Sequence, residues 1–357
     1  FYNSHKYRVA PEILPPTLHW FYWEAYTTFL SGFFLLCLLY YGQAEVYLID
    51  ATVAALSKPT AIAIGIAFLV GGWLVYDGLC RSPLGRSGPA LSAVLTVLLS
   101  AAAWALCHLF SGRGAYMEFG AMLGTIMVAN VLFVIIPGQR ELVRAKQEGR
   151  EPDPRHGIAG KLRSTHNTYF TLPVLFVMIS HHYAMTYGAR ENWLVLIAIC
   201  AAGVSLRLYF VARHKAPERN GRTSPLPAAV GLLTLAGVAV ALMPQPNREA
   251  ARGRDGKIAV ADGGATAPAS AAARGFARIQ AIVAQRCISC HSASPTQAGF
   301  ATAPNGLLLD TPERILAHTE QMRQQIATRA MPLGNITGIT EEERTEMLTW
   351  IDSGAPH

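Results

Sequence analysis

Two thiols separated by two residues can add to the two vinyl groups of a porphyrin, and a histidine directly after the second can ligate the iron from one face. Cys287-Ile288-Ser289-Cys290-His291 has that spacing. A zinc site would need a second Cys/His pair at matching spacing, which the chain lacks, and a redox CxxC pair does not require the adjacent histidine. The motif therefore predicts one covalent heme c, attached through Cys287 and Cys290 and ligated by His291. A sixth ligand is then required. Met331 opens the irregular stretch Met331-Pro332-Leu333-Gly334-Asn335 and can reach across the porphyrin. Met322 and His318 compete, but both fall in a helix predicted to open at Thr311 and Pro312, where they read as packing or surface residues.

The elements that must carry this motif are mostly apolar. Of 357 residues, 51% are hydrophobic and 15% charged, and the mean hydropathy is +0.26, which indicates a membrane protein. The net charge of +7 sits in loops between apolar runs, a pattern of topology that argues against a nucleic-acid partner. Cys37, Cys80, Cys107 and Cys200 lie in or beside those runs and imply no disulfide framework.

Seven runs can cross a hydrocarbon core of about 30 Å, which takes about 20 helical residues. They fall near 20–41, 60–80, 89–110, 116–137, 167–187, 193–213 and 226–244. Glu45 to Lys58 is too short and too charged to span, and reads as a helix lying at the interface. Residues 246–275 are rich in Gly, Ala, Asp and Arg and read as a mobile linker. It separates a membrane domain, 1–245, from a small helical cytochrome c domain, 276–357. In that domain an amphipathic helix leads into the motif, and Thr340-Glu341-Glu342-Glu343 forms a capping box opening a final helix through Trp350.

Orientation follows from Lys and Arg. With the heme domain outside the cytoplasm, the inner loops hold sixteen basic residues, including seven from Arg140 to Arg163, against Lys58, Arg113 and Arg190 outside. The positive-inside rule thus agrees with the side on which c-type hemes are attached. The chain is read as a multi-pass protein of a bacterial inner membrane with a periplasmic cytochrome domain.

Longer stretches carry a resemblance. His19-Trp20-Phe21-Tyr22-Trp23-Glu24-Ala25-Tyr26, Trp73-Leu74-Val75-Tyr76-Asp77, Gly120 to Asn130 running to Ile136-Pro137-Gly138-Gln139-Arg140, and Arg163-Ser164-Thr165-His166-Asn167 resemble the membrane-bound urate oxidases of bacteria. So do the heme motif, Leu309-Asp310-Thr311-Pro312-Glu313 and Met331 to Asn335. The resemblance implies an all-α fold, a polytopic helical bundle with an eighth span upstream of the seven seen here. It also implies oxidation of urate to 5-hydroxyisourate, with electrons passed through the fused heme to a soluble or membrane cytochrome or a terminal oxidase.

Polar residues within spans are costly and become functional candidates. Glu24, Asp77, His166 and Arg140 are the candidate catalytic groups at the cytoplasmic end, with Trp23, Gln139, Asn167 and Arg207 as candidate urate contacts. For an anionic, planar ring they supply cationic and amide donors, an aromatic face and a base. Such residues also gather at membrane boundaries without chemistry. Asn130 reads as a hydrogen bond between helices, and Glu118, nearer the outer end, as solvated or paired. His19 and His166 near the inner face, with His108, His181 and His182 near the outer face, form two layers able to hold a heme b in the bundle. A urate site on the cytoplasmic side would need such a relay. Two other functions fit the same pattern: an electron conduit from a quinol or protein donor, and a transporter with a regulatory cytochrome domain.

Thioether ligation of iron gives a weak long-wavelength absorption band. Met331→Ala is expected to abolish it and Met322→Ala to leave it; the reverse outcome would reassign the ligand.

Overall fold

The computed structural model describes residues 22–50, 53–215, 223–243, 267–297 and 303–357, and among these every regular element is helical. The first helix, α1, spans Tyr22–Leu36 and widens into a π turn at Cys37–Tyr41. A single turn, α2 (Ala44–Tyr47), follows. The long helices α3 (Lys58–Arg81), α4 (Gly88–Leu109) and α5 (Gly112–Asn130) come next. After a second π turn at Val131–Ile135, α6 (Ile136–Gln147) continues the same rod. Pro137 has no N–H to return to the preceding turn, and the wide turn falls immediately before it. The bundle is completed by α7 (Pro154–Ser180), α8 (Ala184–Tyr187), α9 (Asn192–Lys215) and α10 (Leu226–Ala241).

Side-chain caps mark where several helices begin. Ser57, Ser111 and Asp153 accept from the backbone N–H of Thr60, Gly114 and Arg155 at 3.4, 3.1 and 2.9 Å, satisfying donors that have no partner in the first turn. Helix α5 lies at the centre, packed on α3, α4 and α7, while α9 bridges α7 and α10. Tyr116, Phe119, Met122, Leu123 and Ile126 of α5 are all buried. The outward faces carry exposed Phe34, Leu74, Val97 and Leu233, and helices apolar on the outside of a bundle suit a hydrocarbon solvent.

Among the described residues, five helical rods are long and apolar enough to cross a membrane: Tyr22–Tyr41, Lys58–Arg81, Gly88–Leu109, Gly112–Gln147 and Asn192–His214. The sequence predicts seven. Helix α10 has 16 residues, shorter than the run drawn for it. Helix α7 starts thirteen residues before the predicted run at 167 and ends at Ser180; its first half carries Arg155, His156, Lys161, Arg163 and His166, which dilute its hydropathy. The interfacial helix expected from Glu45 to Lys58 reduces to the single turn α2. Its remainder carries the chain to Ser57, where the cap of α3 begins.

The C-terminal domain contains α11 (Ala267–Arg286), α12 (Pro312–Ala317), α13 (Thr319–Ala327) and α14 (Glu341–Asp352). Its first and last helices cross as expected, with the rings of Phe276 and Trp350 stacked at 5.5 Å. Helix α11 extends back to Ala267, into the stretch read as linker; the rest of that stretch up to 266 lies outside the described residues. The helix expected from Thr311 through Met322 is broken at His318 into α12 and α13, and Met322 is buried in the core with Ile282, Ile326 and Met347.

Glu343 ties this domain together. It closes the capping box with Thr340 and accepts from Arg286 Nε and Nη2 at 3.0 and 3.1 Å. Burial opposes its charge most strongly, but the Arg286 hydrogen bonds, the Thr340 backbone N–H and the charges of Arg286 and Arg278 together outweigh it and hold the carboxyl below the usual carboxylate range. A carboxyl whose folded pKa is depressed adds stability above its unfolded value, about 4.3, and loses it as pH falls through the folded value. Urea denaturation of the full chain, followed by near-ultraviolet circular dichroism, is expected to show this loss below about pH 4.3. Arg286→Leu is expected to cost about 3 kcal/mol at neutral pH and to flatten the acid dependence.

Candidate functional site

In the C-terminal domain the residues expected to cradle a heme are held by backbone contacts. His291 is buried, and its Nδ1 donates to the Leu307 carbonyl at 3.0 Å. That bond fixes the tautomer and leaves Nε2 with its lone pair for a metal. Cys287 and Cys290 fall in the turn just after α11. The Met331 loop is pinned from two sides: Arg344 Nη1 donates to the Met331 carbonyl at 2.7 Å, and Arg286 Nη1 to that of Thr337 at 2.7 Å. The donor set and the oriented imidazole fit a covalent heme with Met331 as sixth ligand.

Within the bundle, polar groups collect at both ends. At the end away from the C-terminal domain, Arg163, 3% exposed, pairs with Asp77 Oδ1 at 2.6 Å and lies 4.9 Å above the Tyr76 ring. Asp77 Oδ2 takes Arg81 Nε at 2.6 Å. Tyr76 Oη lies 2.8 Å from His166 Nδ1. Buried Asn130 donates to Tyr76 Oη and Asn167 Oδ1 at 3.2 and 3.0 Å, and Asn167 donates on to the Met127 carbonyl at 2.9 Å.

The structure thus joins Asp77, His166 and Asn167 in one network and adds Tyr76, Asn130 and Arg163 to it. A sequence signal for Arg163 exists: Arg163, His166 and Asn167 are spaced i, i+3, i+4 and share one face of α7. The other candidates stand apart from the network's core. Trp23 and Glu24 are exposed on α1, and Gln139 and Arg140 are exposed on α6, where Arg140 lies 5.6 Å over the Tyr22 ring. Arg207 has a buried Nε without a hydrogen-bond partner. His19 lies outside the described residues.

The opposite end of the bundle faces the heme cradle. Here the backbone of Gly334, in the Met331 loop with φ of 58°, comes so close to the Val46 carbonyl of α2 that a Cβ could not fit, and Gly188 meets the Thr328 carbonyl in the same way. Between the two surfaces is a cavity of about 360 Å³. Its walls include Tyr47, Arg113, Arg190 and Trp193 from the bundle, and Arg329 and Arg344 from the C-terminal domain. Arg113 is 5.0 Å over the Tyr47 ring. Deeper in the bundle Glu118 is fully buried; Tyr41 donates to one of its oxygens at 3.4 Å, and the other has no partner. Of the two readings of Glu118, solvated or paired, the structure favours the second, with Tyr41 as partner. The rings of His181 and His182 lie 3.9 Å apart, tilted by 43°, and exposed His108 donates from Nδ1 to the Trp104 carbonyl at 2.7 Å.

The urate oxidase N-terminal family model matches residues 1–242, about two thirds of the chain. The chain belongs to the urate oxidase N-terminal family. No curated protein and no solved structure matches it. The family-matched region contains the far-end network in full and the bundle wall of the interfacial cavity; the heme cradle lies beyond it, in 267–357.

Breaking the buried pair should matter far more than breaking the exposed one. Asp77→Asn leaves Arg163 charged and without its anion in the bundle, a cost of about 3–5 kcal/mol. Arg81→Ala removes a partner that is 67% exposed and is expected to cost less than about 1 kcal/mol. Thermal unfolding of the two detergent-solubilised variants against the parent measures both.

Proposed function

We propose that the protein is a membrane-bound oxidoreductase that converts urate to 5-hydroxyisourate and passes the electrons to a C-terminal heme c. The carrying observation is the seating of the Met331 loop on one end of a bundle that belongs to the urate oxidase N-terminal family. The reaction balances as urate plus water giving 5-hydroxyisourate, two protons and two electrons. No hydrogen peroxide is formed, because the electrons leave to a respiratory carrier, a cytochrome or terminal oxidase, instead of to dioxygen at the site.

When bound, the heme supplies acceptance of one electron at a time. The chain's own residues do the rest. His291, oriented by the Leu307 carbonyl, and Met331, held by Arg344 through its backbone, would ligate the iron. Cys287 and Cys290 would anchor it covalently. The five apolar rods, with the excess of Lys and Arg on the loops of the far end, support an inner-membrane protein with the cytochrome domain on the periplasmic side.

Adding urate without oxygen to the oxidised full-length protein is expected to produce the absorption spectrum of reduced heme c, at up to two heme equivalents per urate. Reduction by a quinol but not by urate would instead support an electron conduit.

A further inference from the structure

The geometry points to the interfacial cavity, between the bundle and the Met331 loop, as the binding site for a planar organic anion of purine size. This rests on the urate reading above and gives it a location that the sequence alone did not favour.

The two ends of the bundle differ in how their polar groups are satisfied. At the far end, Tyr76, Asp77, Asn130, Arg163, His166 and Asn167 are linked into one network, and none of their side-chain atoms is among the buried ones without a partner. Toward the heme cradle the reverse holds. Tyr40 Oη, Arg113 Nε, Glu118 Oε1 and His181 Nδ1 are buried without a well-aligned hydrogen bond, four of the six such atoms among the described residues, although Tyr40 lies beside Arg113 and His181 beside the Met178 backbone. Buried polar groups are normally paired, so a concentration of unpaired ones marks where a polar molecule belongs. Arg113 and Tyr47 line the cavity, Arg113 covers Tyr47, and Tyr40 lies behind them in ring contact with Tyr47 at 5.9 Å.

The cavity's charge and shape select the ligand. Arg113, Arg190, Arg329 and Arg344 face it, against the carboxylates Asp50 and Glu341. Glu341 is occupied by Arg329 at 2.8 Å and Arg344 at 3.7 Å, whereas Arg113 and Arg190 form no ion pair with a carboxylate among the described residues. The cavity therefore offers an anion two unpaired guanidinium groups, with the rings of Tyr47 and Trp193 to stack on. Guanidinium groups match the oxygens of planar anions in geometry as well as charge. At about 360 Å³ it falls within the roughly 300–1,000 Å³ of small-molecule pockets. Its wall also holds Ala330, Leu333 and Arg344, the neighbours and the backbone anchor of Met331. A ligand here would adjoin the heme cradle directly, and the crossing of the bundle that called for a heme b relay would not arise.

Equilibrium binding of radiolabelled urate to the full-length protein, kept reduced with dithionite so that urate is not consumed, tests the proposal. Arg113→Gln is expected to weaken binding at least tenfold and Arg190→Gln at least threefold, each with an unchanged heme spectrum. Arg190 is exposed, so Arg190→Gln decides the matter if Arg113→Gln fails to fold. Parental affinity in both variants would overturn this site while leaving the urate reading intact. If the parent neither binds urate nor shows urate-driven heme reduction, the functional reading falls together with the site.

Discussion

A polar group inside an apolar helical bundle has to find its partner within the bundle, because neither lipid nor packed side chains can replace water. That constraint governs this protein from the Arg163–Asp77 pair outward. A guanidinium 3% exposed is tolerable only beside a carboxylate at 2.6 Å and over an aromatic face, and each of those partners is placed by a different helix face. Helix α3 supplies Tyr76 and Asp77, α5 supplies Asn130, and α7 supplies Arg163, His166 and Asn167. The network therefore fixes the rotation of three helices about their own axes, which apolar packing alone would leave less defined. It is costly to break.

The same constraint gives the unsatisfied end its meaning. Glu118 has no exposure and one oxygen without a partner, an arrangement that would be selected against if nothing ever approached it. Neighbouring Tyr40, Arg113 and His181 share that condition. They lie on the side where the C-terminal domain is seated, and the close backbone approaches at Gly188 and Gly334 make that seating a fitted contact. Substrate binding and electron exit would then share one boundary. The buried end, with its closed network, would act as a rigid frame.

In the C-terminal domain a comparable economy holds around two arginines. Arg286 bonds Glu343 and the Thr337 carbonyl, while Arg344 bonds the Met331 carbonyl and faces the cavity. The loop that would present the sixth heme ligand is thus fixed by charged side chains from α11 and α14. One of those side chains also contributes to the surface turned toward the bundle. Changes on the bundle side can reach the Met331 loop through Arg344 without passing through the domain core.

The sequence by itself determined the local features: the CxxCH spacing, the apolar runs, the helix start at Thr311 and the capping box at Thr340. Each depends on residues within a few positions of one another, so short-range chemistry suffices to read them. It also placed Asp77, His166 and Asn167 in one set, because polar residues in apolar runs stand out, but the same set held Trp23, Glu24, Gln139, Arg140 and Arg207, which stand apart from the network. It failed where the partner is distant in the chain. Asn130 was legible as an interhelical hydrogen bond, but that it bonds Tyr76 and Asn167 was not. Glu118 was left as solvated or paired, because burial depends on which helices surround α5. The cavity was invisible, since Tyr47, Arg113, Arg190 and Arg329 come from four separate segments and are unremarkable singly. Only the tertiary structure decided which polar groups satisfy one another and which remain open. That outcome depends on the rotation and contact of whole helices, which no local pattern encodes.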